Sequence, residues 1–288
     1  MGLTINHNIA AMNAYRNLSV TQNEMSKSLE KLSSGYRINR AADDAAGLSI
    51  SEGLKSQIGG LQVASRNAQD AINVVQTADG ALTETQAILQ RMRDLSVQAA
   101  NGGSQDTNAQ AAANTEFSQL KSELDRIANT TAFGNQKLLS GSYDGTFQVG
   151  ANNSSADQIT VDLGSSALGT MLGNSLTGLS SAGLGLGSVD LTTTAGAQSA
   201  MDALDKAITG TSTVRANLGA YQNRFEHTIN NLNVAVENLT ASESQITDTD
   251  MAAEMSNFTK AQILQQAGTA MLAQANKTPQ SVLQLLQG

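Results

Sequence analysis

Between Asp43 and Asn101 the chain has no proline, and Leu61, Ala64, Ala68, Ala71, Val75, Ala78, Leu82, Leu89 and Met92 recur at spacings of three, four or seven. That rhythm is one face of a single long helix. At ~1.5 Å per residue such a helix is on the order of 85 Å long, too long for a compact domain unless other helices lie alongside it. Many seam positions are alanine, and Gly59, Gly60 and Gly80 lie on the same helix. Each glycine costs ~1 kcal/mol relative to alanine, so the small residues point to close helix approach.

The same periodicity returns at Leu218, Tyr221, Phe225, Ile229, Leu232, Val236, Leu239 and Ile246, and a shorter stripe runs through Leu18, Met25, Leu29 and Leu32. Asn101-Gly102-Gly103 is a stop signal, after which Asp106 or Thr107 offers an N-cap for a helix to about Asn129. Thr247-Asp248-Thr249-Asp250 is a second capping cluster. It opens a last helix expected to carry Met255, Phe258, Leu264, Ala267 and Met271 on one side until Thr278-Pro279 breaks it.

From Lys137 to Lys206 no basic residue intervenes, and Gly, Ser, Thr and Asn surround β-prone pieces at 146–149 and 158–161. Two short strands joined near Gly150 to Asp157 are expected there, then an irregular surface loop through Thr194. The fold class is mainly α. It is a long antiparallel coiled-coil bundle, a hairpin-shaped chain with both ends paired, with a small β-hairpin and irregular loop in its middle. The expected division is 1–45 with 247–288, then 46–165 with 197–246, and a Gly/Ser/Thr-rich surface loop at 166–196 without a large outer domain.

Only 3% of the residues are aromatic, with no Trp and one Pro, which disfavours one large globular core. A net charge of -8 and the lack of any basic cluster argue against nucleic acid. The absence of Cys removes thiol catalysis and thiolate metal sites. The start lacks a basic, then apolar, leader, and the uncharged run Ala261 to Asn276 is interrupted by glutamines, so no membrane segment is expected. Composition alone would suggest a cytoplasmic chain.

Chemistry is equally sparse. His7 and His227 stand outside any hydrolase motif, and Asp248 and Asp250 lack the Gly and Glu of a calcium loop. Gly183-Leu184-Gly185-Leu186-Gly187 has no preceding strand or following Lys to cradle phosphate. Asp43 and Asp44, adjacent on a helix, suit dipole stabilisation better than acid-base catalysis. No enzyme, cofactor or metal site is expected.

Leu32-Ser33-Ser34-Gly35-Tyr36-Arg37-Ile38-Asn39-Arg40-Ala41-Ala42-Asp43-Asp44-Ala45-Ala46-Gly47-Leu48-Ser49-Ile50 resembles the signature of bacterial flagellins. The opening Ile5-Asn6-His7-Asn8-Ile9-Ala10-Ala11-Met12-Asn13 and the ending Lys260-Ala261-Gln262-Ile263-Leu264-Gln265-Gln266-Ala267-Gly268 are similar to flagellins of Gram-positive bacteria. The likeness covers roughly 1–140 and 197–288. Gln245 departs from it, standing where similar flagellins usually carry Arg.

The resemblance implies a structural subunit that polymerises with itself into the flagellar filament for swimming, exported unfolded without a cleaved signal and located extracellularly. It implies paired terminal helices as an inner tube, with packing residues Leu18, Met25, Leu29, Leu32, Met255, Phe258, Leu264 and Met271. It further implies an export chaperone on the C-terminal helix, filament cap and hook-filament junction proteins as partners, and recognition by host Toll-like receptor 5. For the receptor, and for contacts between subunits, the matching positions are Gln90, Arg91, Leu95 and Gln98 on one broad helix face with Glu116 on the next helix. A hook-filament junction protein and an intracellular coiled-coil scaffold are the competing readings; the first shares weaker versions of both ends, and the second accounts for the heptads but not the signature.

Overall fold

The computed structural model describes residues 8–103, 106–164, 169 and 178–287. Five long helices carry the described chain: α1 (Ile9–Ser34), α2 (Ala45–Ala100), α3 (Thr107–Thr130), α4 (Thr194–Thr247) and α5 (Met251–Gln287). Their ends are set by local chemistry. The Asn8 and Asp106 side chains accept from Ala11 N (3.0 Å) and Ala109 N (2.7 Å), capping α1 and α3. Asp44 Oδ1 accepts from Gly47 N at 2.8 Å at the start of α2, and Asp250 Oδ1 accepts from Ala252 N and Ala253 N at 2.9 and 3.1 Å at the start of α5. Helix α1 stops at Gly35, whose φ of 78° is the left-handed conformation that glycine adopts without a Cβ clash.

Helix α5 departs from expectation by continuing through Thr278-Pro279 to Gln287. One proline removes a single ladder donor, and the flanking Gln, Leu and Val sequence carries no glycine until Gly288 to help end the helix.

The chain divides into two compact units, Met1–Gln57 with Glu237–Gly288, and Ile58–Val236; α2 and α4 supply residues to both. In the first, α1 and α5 pack antiparallel. Asn8 Nδ2 donates to Ala275 O at 2.9 Å near one end, and the Gly35 carbonyl accepts from Thr249 N at 2.9 Å at the other. Between them, a Cβ built on Gly268 would lie 3.3 Å from Leu18 Cδ1, so glycine lets the helices approach there.

The second unit is built on α2, with α3 and α4 both antiparallel to it. Gln110 Nε2 donates to Ala99 O (3.1 Å) on the α3 side, while Arg93 pairs with Asp205 (2.6 Å) and Arg215 with Asp79 (2.8 Å) on the α4 side. The alanine seam behaves as its spacing predicts: Ala68, Ala71, Ala78, Leu82, Leu89 and Met92 are fully buried. Of Gly59, Gly60 and Gly80, Gly60 alone meets a neighbour, since a Cβ there would come 2.9 Å from Ala151 Cβ, whereas nothing lies within 4 Å of Gly59 or Gly80.

Strands β1 (Ala132–Phe133) and β2 (Gln136–Lys137) form a tight hairpin, and β3 (Asp144–Gln148) pairs antiparallel with β4 (Gln158–Asp162) in the register Thr146 to Thr160. The larger hairpin is fixed to the helices by Phe147 stacked edge-on against Phe225 (centroids 5.7 Å, 82°) and by Asn67 Nδ2 donating to Gln148 O at 3.0 Å.

The stretch read as a surface loop is corrected over its described part. Leu179, Leu184, Leu186 and Leu191 are buried in the core. Helix α3 holds this segment: Asp125 accepts from Ser181 N and Oγ (2.8 and 2.9 Å), Asn114 Oδ1 from Leu191 N (2.9 Å), and Lys121 Nζ donates to Gly187 O (2.9 Å). Positions 165–168 and 170–177 of that expectation lie outside the described residues.

Candidate self-association surface

The α1–α5 pair carries apolar residues on more than one face. The side of α1 turned to α5 is Ala11, Ala14, Leu18, Thr21, Met25, Ser28 and Leu32; the answering side of α5 is Glu254, Phe258, Ala261, Gln265, Gly268, Leu272 and Ala275. Both stripes step by threes and fours, and all these residues are at least half-buried. Leu18, Met25, Leu32 and Phe258 lie on these two facing sides.

Leu264 and Met271 do not share a side with Phe258, and Met255 lies at the exposed edge of that side, a correction to the expected single stripe. At ~100° per residue Leu264 and Met271 fall ~120° and ~140° around the helix from Phe258, and Met255 ~60°. Met255, Leu264 and Met271 remain 50%, 45% and 65% exposed, and Leu29, expected in the α1 stripe, is 48% exposed. Ile9, Met12, Tyr15, Val20, Met251 and Ile263 are likewise exposed. Met255, Ile263 and Leu264 line an open groove of about 550 Å³ along α5. Among the described residues, the second unit exposes only Val63, Val97, Phe133 and Val234 as large apolar side chains. Single exposed apolar residues are ordinary, but a concentration of them on one helix pair marks a contact surface.

The segment joining α1 to α2 is clamped to the segment joining α4 to α5. Arg37 N donates to Thr247 O (2.6 Å), its guanidinium donates to Ile246 O through Nη2 (2.6 Å), and Tyr36 bridges Asp248. Gln245 beside this clamp is exposed, and the clamp uses a main-chain carbonyl instead of a side-chain ion pair. Within the segment, Asp43 accepts from Arg40 N (3.0 Å) and Asn39 N (3.2 Å). The Arg40 N–H, then the Asn39 N–H with Lys31 and Lys27, hold the Asp43 carboxyl below its ordinary value against a smaller opposing desolvation. Gly47 lets the Asp44 and Ile38 side chains lie close to the helix, since a Cβ there would come 2.5 Å from Asp44 Oδ2 and 2.7 Å from Ile38 Cδ1 unless those side-chain ends moved.

A carboxyl whose folded value is depressed stabilises the fold above the unfolded aspartate range and loses that contribution as pH falls through the folded value. Asp43→Asn is therefore expected to lower the melting temperature at neutral pH and to match the parent chain in strong acid. Thermal melts of both across that range check it; a constant difference at every pH contradicts it.

On α2, Gln90, Arg91 and Gln98 are exposed, and so is Glu116 on α3. Arg91 Nε lies 2.7 Å from Glu116 Oε1, an exposed pair of small energetic weight. Leu95 is corrected: at 3% exposure it belongs to the core and presents nothing to a partner. Helix α2 has α3 on one side and α4 on the other, so its buried arc is wider than one heptad stripe, and Leu95 falls inside it.

His227 is exposed at the edge of an open groove of about 740 Å³ beside Arg224, Asn231 and Ile159; His7 lies outside the described residues. Among the described residues no three His, Asp or Glu groups converge as metal ligands, and no helix is long and apolar enough to cross a membrane.

The described residues thus form paired terminal helices with an apolar outer face and a second helical unit with its own core, the build of a structural protein. The family model for the bacterial flagellin N-terminal helical region matches residues 5–144, and that for the C-terminal helical region matches 201–286. A flagellin of Halalkalibacterium halodurans is 52% identical over 99% of this chain and 100% of its own length, and one of Bacillus subtilis is 50% identical with the same coverage. The crystal structure of Bacillus cereus flagellin superposes with a TM-score of 0.47 at 31% identity, covering 58% of this chain and 88% of that one. The chain belongs to the bacterial flagellin family, and its role is that of the structural subunit of the flagellar filament.

Proposed function

We propose that the α1–α5 pair forms the inner tube of the filament, with its exposed apolar residues seated against neighbouring copies of the chain. The supporting observation is their concentration on this pair, with Ile263 61% exposed roughly opposite the seam that holds α5 to α1. Removing such area from water contributes ~25 cal/mol per Å², which contacts between subunits supply in the assembled filament. In the second unit, Leu179, Leu184, Leu186 and Leu191 add to its core.

The chain reaches the filament by export in an unfolded state. Before assembly, the apolar residues of α5 are covered by an export chaperone; at the growing end they meet the filament cap, and at the base the hook-filament junction proteins. A chain without cysteine and with one proline suits threading, having no disulfide to form and little slow isomerisation.

Ile263→Glu tests the inner-tube reading. It touches no seam residue, so the melting temperature stays within the parent's error. The protein concentration at which polymer first sediments rises by about tenfold or more, the equivalent of ~1.4 kcal/mol per subunit. Unchanged assembly by this variant contradicts the reading.

Gln90, Arg91, Gln98 and Glu116 form the receptor-facing patch toward host Toll-like receptor 5 in the free subunit. The planar guanidinium of Arg91 supplies its directional contacts. Arg91→Ala is expected to weaken receptor binding by ~2 kcal/mol. Surface-immobilised receptor titrated with parent and variant monomer measures it, and equal affinities remove the patch.

A further inference from the structure

Among the described residues the methionine sulfurs are unevenly placed. Met12, Met251, Met255 and Met271 are 67%, 47%, 50% and 65% exposed, and all four belong to the unit of the paired terminal helices. In the other unit Met92 is fully buried and Met201 is half-buried, while Met25 is half-buried in the α1 seam. The chain has no cysteine to react first. An accessible thioether is therefore its most readily oxidised side chain, and accessibility sets the order in which the methionines react.

We propose that Met12, Met251, Met255 and Met271 are a peroxide-sensitive modification site that makes polymerisation of the free subunit depend on the oxidation state of its terminal helices. The thioether sulfur attacks one peroxide oxygen; the S–O bond forms, the O–O bond breaks, and water leaves. Sulfur loses two electrons and the peroxide gains them. The reverse step consumes a dithiol, which becomes a disulfide as the oxygen leaves as water; methionine sulfoxide reductases are the enzyme class that performs it. Each sulfoxide puts a strong acceptor on a face that must be dried to assemble, and Met255 lines the same groove as Ile263 and Leu264. An unsatisfied polar group in such a contact opposes its formation.

The oxidation pattern stands on exposure alone, whereas its effect on assembly rests on the inner-tube reading above. The test uses the full chain. Folded monomer is treated with hydrogen peroxide, the sulfoxides are located by peptide mass spectrometry, and polymer is measured by sedimentation before treatment, after it, and after incubation with methionine sulfoxide reductase and a dithiol. Expected are sulfoxides at the four exposed sites well before Met92, loss of polymer on oxidation, and its return on reduction. In a chain with all four changed to Leu, polymer at whatever level it forms is not reduced further by peroxide. Met92 oxidising as fast as Met255 in folded protein overturns the site. Undiminished assembly of the fully oxidised chain, or equal peroxide loss in the Leu variant, overturns the coupling. A chain that fails to assemble before any treatment overturns the self-association reading and the coupling with it, while the oxidation order is read independently.

Discussion

Removing residues 250–288 leaves a protein that forms no polymer under conditions in which the full chain does. The deletion takes away α5, and with it the partner of every seam residue on α1. The 26-residue α1 then has Leu18, Met25 and Leu32 facing water. An isolated amphipathic helix of that length is marginal, since nucleation is costly and most helical stability comes from packing. Ordering its backbone alone opposes folding by roughly 1 to 2 kcal/mol per residue. Helical content by circular dichroism should consequently fall by more than the deleted residues account for, while the thermal transition of Ile58–Val236 persists. Filaments from the truncated chain, seen by electron microscopy, would contradict a tube built from both ends.

Phe225→Ala should destabilise the second unit by about 3 to 5 kcal/mol. The ring is fully buried and meets Phe147 edge to face at 5.7 Å, an apolar link between α4 and the β3–β4 hairpin. Truncation removes the transfer energy of the ring and its aromatic contact, the latter worth ~0.5 to 1.5 kcal/mol. The cavity left behind has little means of collapsing, because Asn67 fixes Gln148 O on α2 and Gly60 holds Ala151 close. Urea unfolding followed by circular dichroism measures the change as a lower midpoint at constant slope. A loss below about 1 kcal/mol would mean that the hairpin is held mainly by its main-chain contacts.

Where a feature depends on near neighbours, the sequence carried it. Asp106 and Asp250 cap helices because a carboxylate reaches donors two or three residues on, and both are legible as capping residues. The alanine seam of α2 is likewise written in its own spacing. Leu95 misleads because its environment comes from two other helices, and spacing on α2 alone cannot say that both flanks are covered. Leu184 and Leu186 sit among glycines and serines that read as loop, and the groups that dock their segment, Asp125, Lys121 and Asn114, lie on α3, dozens of residues earlier. On α5 nearly every face carries apolar residues. Periodicity there could not separate the seam, marked by Phe258, Ala261 and Leu272, from the outward Met255, Ile263 and Met271; only the position of α1 does so. Pro279 gave too strong a stop signal, since one missing donor does not outweigh a sequence otherwise fit for helix.

Helical reconstruction of the assembled protein by electron cryomicroscopy tests the central claim most directly. The account predicts α1 and α5 lining the axis of a hollow filament, with Ile263, Met255 and Met271 buried against neighbouring subunits. A filament whose terminal helices lie on its outer surface, with those side chains still facing solvent, would contradict it.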